Sequence, residues 1–311
     1  MRWTLYRWVW QACAPLHIGY TPAGALNRTR LYIPARNMWA ALTAEIARRQ
    51  ASNFPDYESV GQALQQYARF TYLYPAEFVN GKWYAWLPRY GQEEGRAGLY
   101  WYREESEIAP ISDRAFRRRL LHTQPGTAIA AGTGAAEEGT LREVEYIATH
   151  WKPEQGQTPH RPTPVAFVGY LFLEEAPNDA KWQSILSELK EVRKLFIGGE
   201  TRYGFGHLTL LSSSEEEPWE QAQACFGYEV DLQGDEPVVK NPQHLLGHGL
   251  LASQYAQGNR EVVFQWNWQM PHTTSTLYWQ PGTQVLKPDQ DELVFAIDPN
   301  GFWAGRTEKR L

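Results

Sequence analysis

The sequence has few cysteines, no long apolar run and no strong excess of charge of either sign. Its two cysteines, Cys13 and Cys225, lie far apart, which argues against a secreted disulfide framework and against a four-cysteine zinc site. No apolar run reaches the roughly 20 residues that a membrane-spanning helix needs. The aromatic N-terminus carries Arg7 in its middle, so this segment predicts a first strand and not a signal peptide. We expect a soluble, cytoplasmic protein with no membrane partner.

The charge balance leaves local nucleic-acid binding open. Over 311 residues the formal net charge is −5, which argues against a uniformly basic binding surface but not against a local basic groove. Hydrophobic residues make up 43% of the chain and aromatic residues 14%, with 14 Trp and 17 Tyr. Because this is ample material for a hydrophobic core, wholesale disorder is excluded. The length allows two domains.

The order of the predicted elements indicates an α+β fold. A strand, "TLYRWVWQAC", precedes an amphipathic helix, "ARNMWAALTAEIARR", and a buried strand, "VAFVGYLFLEE", precedes a second helix, "DAKWQSILSELKEVRKL". With the later strand "FGHLTLL", this is the order of a ferredoxin-like (RRM-like) unit. We place that unit at residues 1–211, with a large insertion at about 51–163 that contains short strands and a protruding hairpin. An acidic linker at 212–219 leads to a β-rich second domain at 220–311, either a degenerate ferredoxin-like half or a small sheet.

A glycine tract follows the second predicted helix. It reads "GGETRYGFG". Its four glycines, Gly198, Gly199, Gly204 and Gly206, flank Thr201, Arg202 and Tyr203. It is not a dinucleotide fingerprint, which follows a strand and opens a helix, whereas here the helix precedes and a strand follows. Main-chain amides bared by glycine, an arginine and a tyrosine can hold a phosphate backbone and stack on a base. The alternative is a helix C-cap followed by a tight turn.

Three segments together resemble the RAMP superfamily of CRISPR-associated proteins. The first is the glycine tract after the second helix of a ferredoxin-like unit. The second is "APLHIGYTPAGALNRTRLYIPARNMWAAL", in which a Pro-Leu-His-Ile-Gly turn precedes the first helix. The third, "TAIAAGTGAAEEGTLREVEYI", is similar to the protruding hairpin of that family. The three occur in the expected order within residues 13–211, while residues 212–311 carry no such landmark.

The resemblance implies binding of CRISPR RNA (crRNA) in a multisubunit effector complex, with indirect contact to target RNA. The implied protein partners are the backbone RAMP subunits and the large subunit. The predicted RNA-binding residues are His17, Gly19, Arg28, Arg30, Arg36, Arg117, Arg118, Arg119, Gly198, Gly199, Thr201, Arg202, Tyr203, Gly204 and Gly206. The hairpin residues predicted to splay bases are Thr127, Ile129, Thr133 and Gly134. For the arginine cluster at 114–119, taken alone, the alternative to RNA binding is an ordinary solvent-exposed surface.

The resemblance also bears on catalysis. Backbone subunits of type III complexes cut target RNA with an aspartate between the first strand and the first helix, whereas "GYTPAGALNRTRLY" contains neither Asp nor Glu. RNA-processing members often use a histidine near this loop, and His17 is the candidate, although its imidazole could simply brace the turn. We therefore predict a non-catalytic subunit that caps the crRNA 5′ handle. The alternatives are a metal-independent repeat-RNA processing endoribonuclease, a target-RNA-cleaving backbone subunit and a protein-interaction module.

Other catalytic and metal patterns are weak. His244 and His248 have the spacing of a zinc-binding helix, "HLLGH", but the glutamate base is missing and glycine interrupts the helix. Neither cysteine has a neighbouring basic residue that would lower its pKa, and no Gly-x-Ser-x-Gly elbow is present. We predict neither a cofactor nor a metal.

Overall fold

The structure, a computed structural model, describes residues 2–93, 95–153, 162–175, 179–212, 219–267, 270–286 and 291–309. The strands and helices up to residue 212 are β1 (Trp3–Ala12), β2 (Leu26–Asn27), α1 (Ala35–Gln50), α2 (Tyr57–Tyr67), β3 (Ala68–Phe70), β4 (Tyr74–Val79), β5 (Lys82–Glu93), β6 (Arg96–Arg103), β7 (Ile111–Ser112), α3 (Asp113–Leu120), β8 (Leu121–Gly126), β9 (Arg142–Ile147), β10 (Ala166–Glu174), α4 (Ala180–Glu191), β11 (Lys194–Phe196) and β12 (His207–Leu211). Those that follow are β13 (Glu220–Gln221), β14 (Ala224–Cys225), β15 (Tyr228–Asp231), β16 (Val238–Lys240), β17 (Gly249–Leu250), β18 (Ala256–Gln257), β19 (Arg260–Asn267), β20 (Met270–Trp279), β21 (Gln284–Val285), β22 (Asp291–Ile297) and β23 (Trp303–Lys309).

The central sheet has the strand order β11-β12-β1-β10-β4-β5-β6-β7. Within it, β12, β1, β10 and β4 are mutually antiparallel neighbours. Together with α1 and α4 they form the βαββαβ unit of the ferredoxin-like fold, so the predicted α+β class is confirmed. Trp8, Val9 and Trp10 are all buried, which means that both faces of β1 are covered.

Helix α1 begins directly after Pro34, whose extended backbone precedes the first turn. A proline suits this place because its missing N–H would have no partner inside the helix. Met38, Leu42 and Ile46, four residues apart, are completely buried. This face packs on the rest of the unit, while Arg48 and Arg49 in the last turn complement the helix dipole.

Helix α4 starts one residue later and ends several residues earlier than the sequence pattern predicts. Asp179 caps the helix, because its carboxylate accepts hydrogen bonds from the main-chain N–H groups of Lys181 and Trp182. The helix ends at Glu191, and Lys194–Phe196, whose first two residues were expected to be helical, forms β11 and pairs with β12. The glycine tract is therefore the loop of a β-hairpin, and a strand separates it from the helix.

The insertion contains two helices that the sequence analysis missed. Residues 51–110 were expected to be short strands, but Tyr57–Tyr67 is α2. The Asp56 carboxylate caps it by accepting from the N–H of Ser59 at 3.0 Å, and the Trp39 indole on α1 donates to the Gly61 carbonyl at 2.9 Å. The abundance of Tyr, Trp and Gly around this segment hid its helical spacing. The second missed helix is α3 (Asp113–Leu120), which contains the arginine cluster.

The rest of the insertion extends the sheet and adds a hairpin. Strand β4 lies within the predicted insertion but belongs to the ferredoxin-like unit, and β5 to β7 continue the central sheet outward from it. Strands β8 and β9 form an antiparallel hairpin, and β2 adds to β9 as a third, parallel strand. Residues 127–141 connect β8 to β9 and are exposed along almost their whole length. The hairpin thus projects from the unit.

The second half of the chain is β-rich. It contributes an eight-stranded sheet of order β14-β15-β16-β22-β23-β17-β20-β19, and among its described residues the only helical element is a 3₁₀ turn, Ser253–Tyr255. Strand β13 pairs with β1, and the buried residues of both halves form one continuous core. Residues 213–218 of the predicted acidic linker lie outside the described residues. No helix in the described ranges is long and apolar enough to cross a bilayer.

Candidate nucleic-acid interface

Three segments far apart in sequence meet at one end of the central sheet. We call residues 197–206, between β11 and β12, the glycine loop. His17 and Gly199 form an antiparallel bridge, with the Gly199 N–H donating to the His17 carbonyl at 2.9 Å. Leu16 bridges in the same way to Ile147 at the base of the β8–β9 hairpin. The loop after β1, the hairpin and the glycine loop, which carry the three family-like segments, are therefore joined by main-chain hydrogen bonds.

Two of the four glycines serve the packing of the chain itself. Gly198 and Gly206 have φ of +87° and +83°, where residues with a Cβ are strained. A Cβ on Gly198 would lie 2.3 Å from the His17 carbonyl oxygen, and one on Gly206 would lie 2.1 Å from that of Ile197. These two glycines are required by the close approach of neighbouring backbone, whether or not a ligand binds.

The middle of the glycine loop is exposed. Thr201–Tyr203 forms a single 3₁₀ turn, followed by Gly204 at φ +85°. A Cβ on Gly204 would meet no atom within 4 Å, and Tyr203 is 68% exposed. Arg202 is exposed and forms no hydrogen bond or ion pair with the described residues. The exposed turn, residues 201–204, is thus the part of the glycine loop that remains available for a ligand.

A cleft of about 170 Å³ separates the exposed turn from the hairpin. Arg142 on β9 lies across it, with its guanidinium 5.4 Å from the Tyr203 ring and 3.8 Å from the Glu200 carboxylate. Its side chain is 47% exposed, so this cation is only partly neutralised. Arg142 was not among the residues predicted from sequence, although it stands in the hairpin segment that carries the family resemblance.

His17 braces the interface from below. Its side chain is 8% exposed, and its Nδ1 lies 2.7 Å from the Glu145 carbonyl on β9. The Glu145 carboxylate in turn accepts from the main-chain N–H of Thr29 at 2.9 Å. These bonds hold the imidazole between the hairpin and the loop after β1. Gly19, two residues on, is exposed and pairs with Thr29.

Arg30 is committed to a buried cluster away from the cleft. Its guanidinium lies 2.8 Å from the Glu261 carboxylate, and the two side chains are 12% and 10% exposed. Glu261 also lies 2.5 Å from Nε2 of His248, whose Nδ1 is 2.6 Å from the Tyr72 hydroxyl. The neutral imidazole that donates from Nε2 and accepts at Nδ1 satisfies both contacts.

The pKa values of this cluster follow from its burial. Burial opposes the ionisation of Glu261, but the hydrogen bond from His248 and the charge of Arg30 outweigh it and lower the pKa to about 2. Burial also lowers the pKa of His248. Arg30 therefore faces a permanent carboxylate, which links the first half of the chain to the second and leaves this guanidinium unavailable to phosphate.

The other two arginines of the N-terminal segment stay accessible. Arg28 lies over the Tyr20 ring at 5.3 Å and forms no ion pair with the described residues. Arg36, at the start of α1, is exposed and donates to the Phe264 carbonyl at 2.7 Å. Arg28 belongs to the same loop as His17, whereas Arg36 contacts the second half.

The arginine cluster on α3 divides into paired and free side chains. Arg117 binds Asp113 at 2.8 Å, and Arg119 binds Glu77 at 2.8 Å while lying 4.9 Å from the Trp151 ring. Arg118 points to solvent and has no ion-pair partner in the described part of the chain. Of the three predicted contacts, Arg118 alone is both exposed and unpaired, at the base of the hairpin.

The hairpin tip presents small polar and apolar side chains. The Thr127 and Thr140 hydroxyls are 2.8 Å apart and close the tip, and Ile129 bridges to Ala136. Ile129 is nevertheless 63% exposed. Thr133 and Gly134 form the turn at the end, with Gly134 at φ +66°. All four predicted base-splaying residues thus lie on the exposed tip.

His244 and His248, which have the spacing of a zinc-binding pair, have different surroundings in the structure. His248 belongs to the buried cluster with Glu261, and His244 lies where the insertion meets the second half, with its pKa lowered to about 4 by burial and by the nearby charge of Arg89. Among the described residues, no group of three or more His, Cys, Asp or Glu side chains could hold a metal ion.

Comparison with known proteins defines the fold of this chain. No protein-family model matches it, and no curated protein matches its sequence. A chain of the cryo-EM structure of the type III-B Cmr-beta bound to cognate target RNA and AMPPnP, state 1, is similar, with 14% identity, a TM-score of 0.50, and 90% of this chain and 85% of that one covered.

Two further solved chains are similar over a smaller part. One, from Cmr-beta bound to cognate target RNA, has 15% identity and a TM-score of 0.39 over 66% of this chain and 96% of its own. The other, from the apo state of Cmr-beta, has 12% identity and a TM-score of 0.39 over 68% and 98%. What the comparisons establish is that this chain shares its α+β fold with a chain of the first Cmr-beta structure.

Proposed function

We propose that this protein is a non-catalytic crRNA-binding subunit of a type III CRISPR effector complex, and that it holds the 5′ handle of the crRNA. The observation that carries the proposal is that the loop after β1, the hairpin and the glycine loop meet, and that the last two border a cleft with a partly exposed cation and an exposed aromatic ring. The fold shared with a chain of a target-RNA-bound Cmr-beta structure supports the same assignment.

The exposed turn offers the parts that a single RNA strand needs. Arg202 and Arg142 can neutralise phosphates, and Tyr203 offers a ring on which a base can stack. Arg28 adds a third cation on the neighbouring loop. Because Gly204 leaves open space above the turn, a sugar-phosphate backbone can approach the main chain closely. The exposed hairpin tip stands beside this path and would separate adjacent bases.

A docking role fits the second half. Strand β19 is the last strand of the eight-stranded sheet and therefore presents an unpaired edge. Val262, Phe264 and Leu277 are 53%, 59% and 51% exposed on β19 and its neighbour β20. Exposed apolar side chains on a sheet edge are typical of a protein contact, and the backbone and large subunits of the complex are the proposed partners.

Two features support the proposed non-catalytic role. The loop from Gly19 to Tyr32 has neither Asp nor Glu, so no carboxylate there can orient an attacking 2′-hydroxyl or hold a metal. His17 is largely buried and its Nδ1 is engaged with the hairpin backbone, which favours a bracing role over proton transfer.

Copurification tests the assignment directly. RNA that copurifies with the protein expressed beside a CRISPR array should be sequenced from its 5′ end. The expected result is a common 5′ sequence derived from the repeat. Cellular RNA with heterogeneous 5′ ends, or the absence of RNA, would contradict the handle-binding role.

The processing endoribonuclease is the main alternative, and His17→Ala separates the two. The purified protein and the variant are incubated with repeat RNA in the presence of a chelator. We expect no specific cleavage by either protein. Cleavage at one position that the variant loses would overturn the non-catalytic assignment.

A further inference from the structure

A second cavity, larger than the cleft beside the hairpin, lies away from the glycine loop. It measures about 1040 Å³, at the upper end of the range for small-molecule sites. Its floor is a face of the central sheet, where Arg7 on β1 and Tyr170 on β10 stand side by side as register partners. One wall is formed by β5 and β6 of the insertion, and the other by Tyr228 and Gln243 of the second half. We call this the sheet-face cavity.

The β5–β6 wall carries a cation with no carboxylate partner. Leu87 pairs with Tyr102 across the two strands, so Arg89, two residues along β5, projects from the same face as Tyr102. The Arg89 guanidinium lies 4.5 Å from the Tyr102 ring centroid. Arg89 is only partly exposed and forms no ion pair with the described residues, so its charge is available to an anion inside the cavity.

Aromatic faces and an amide complete the lining. Trp83 and Tyr228 are both partly exposed in the cavity, and each ring can stack on a flat heterocycle. The side-chain amide of Gln243 is exposed and makes no hydrogen bond with the described residues, so both its donors and its acceptor can read the edge of a base.

The acidic groups of the cavity do not cancel this arrangement. Glu104 is mostly enclosed, its carboxylate accepts the Ala85 N–H at 2.8 Å, and burial raises its pKa. Glu220 lies 3.8 Å from Arg7, which neutralises that pair. Lys82 and Glu105, both exposed, add one charge of each sign to the lining. Among the described residues, Arg89 thus remains a positive charge beside the rings.

We propose that the sheet-face cavity binds a nucleotide, with its phosphate at Arg89 and its base against the aromatic side chains. The nucleotide is either a free mononucleotide or one unit of a single-stranded RNA, since both present the same phosphate and ring. This site is independent of the glycine loop, and it goes beyond the proposed handle-binding function.

Calorimetric titration of the full chain with adenosine and uridine monophosphates, and separately with a short oligouridylate, tests the proposal. Arg89→Gln should weaken the binding that is observed by about tenfold, the loss expected for one charge-assisted contact. Arg48→Ala on the outer end of α1 should bind like the unmodified protein. Unchanged thermal unfolding midpoints show that each variant is folded.

The outcomes distinguish the source of the nucleotide and the two sites. Binding of a mononucleotide that depends on Arg89 supports a free ligand, and Arg89-dependent binding of the oligouridylate alone supports a unit of an RNA strand. Binding of neither ligand, or equal binding by the Arg89→Gln variant, overturns the cavity proposal. If Arg202→Ala weakens oligouridylate binding and Arg89→Gln does not, the RNA binds at the glycine loop. This result supports the glycine-loop site and overturns the cavity proposal.

Discussion

Arg202→Ala should change how RNA binding depends on salt, and the structure sets the size of the change. Three accessible cations lie on the three segments that meet here, namely Arg28 on the loop after β1, Arg142 in the cleft and Arg202 in the exposed turn. Each contact to a single-stranded phosphate contributes about −0.7 to the slope of log affinity against log salt, so three give about −2.1. Affinity should then fall about 18-fold between about 50 and 200 mM salt. Arg202→Ala removes one contact and should leave a slope of about −1.4, a fall of about sevenfold.

Filter binding of a single-stranded repeat RNA at a series of KCl concentrations measures both slopes. Arg48→Ala is the matched control, because Arg48 is exposed and lies on α1 with Glu45 as its partner. Tyr203→Leu provides a second comparison: it should weaken binding at every salt concentration by about 1–3 kcal/mol, the value of one stacked base, and leave the slope unchanged. Equal slopes for the unmodified protein and the Arg202→Ala variant would refute the reasoning, since the exposed turn would then not contact phosphate.

Three further predictions concern stability, all measured by urea denaturation. Gly206→Ala should prevent folding or destabilise the protein severely, because the added Cβ would lie 2.1 Å from a carbonyl oxygen. Gly204→Ala should cost only about 1–2 kcal/mol, the cost of a left-handed backbone at a residue with a Cβ. Similar losses for the two variants would contradict the open space that the structure shows above the turn at Gly204. Glu261→Gln should cost about 3 kcal/mol, the value of a carboxyl pKa that falls from 4.5 to about 2 on folding, and a loss below about 1 kcal/mol would contradict a buried ion pair. Stability should decline as pH falls below 6.5, because the imidazoles of His244 and His248 have lowered pKa values and take up protons more readily in the unfolded chain. It should decline again as pH falls from 4.5 towards 2, because the Glu261 carboxylate is protonated in the unfolded chain before it is protonated in the folded protein. A flat profile from pH 7 to 5 would contradict burial of neutral histidines.

Elements with a strong local pattern were predictable from sequence. The period of Met38, Leu42 and Ile46 and the apolar run of β10 depend only on neighbouring residues, and they identified the ferredoxin-like order. The helix α2 was missed because its flanking aromatic residues favour strands locally. The end of α4 was misplaced because the pairing of Lys194–Phe196 with β12 is a contact between strands that helical spacing does not contain.

The candidate site was predictable only in part, for the same reason. The glycine tract, the hairpin and the loop after β1 could be named as binding segments, but their local sequences do not tell which side chains find partners elsewhere. Arg30 was predicted to contact RNA, but it pairs with Glu261, which lies more than two hundred residues away in the sequence. Arg119 was also predicted to contact RNA, but it pairs with Glu77. Arg142 became a cleft residue only because the hairpin folds beside Tyr203.

By itself, the sequence determined the α+β class, the order of the main elements and the segments that carry glycine and arginine, since these follow from residue type and short-range spacing. Tertiary structure alone decided which arginines remain free, which glycines serve backbone packing, and that Arg89 and Tyr102 face a cavity between the two halves. Those outcomes depend on charges, carbonyls and rings brought together over long sequence separations, and no local pattern encodes such distances.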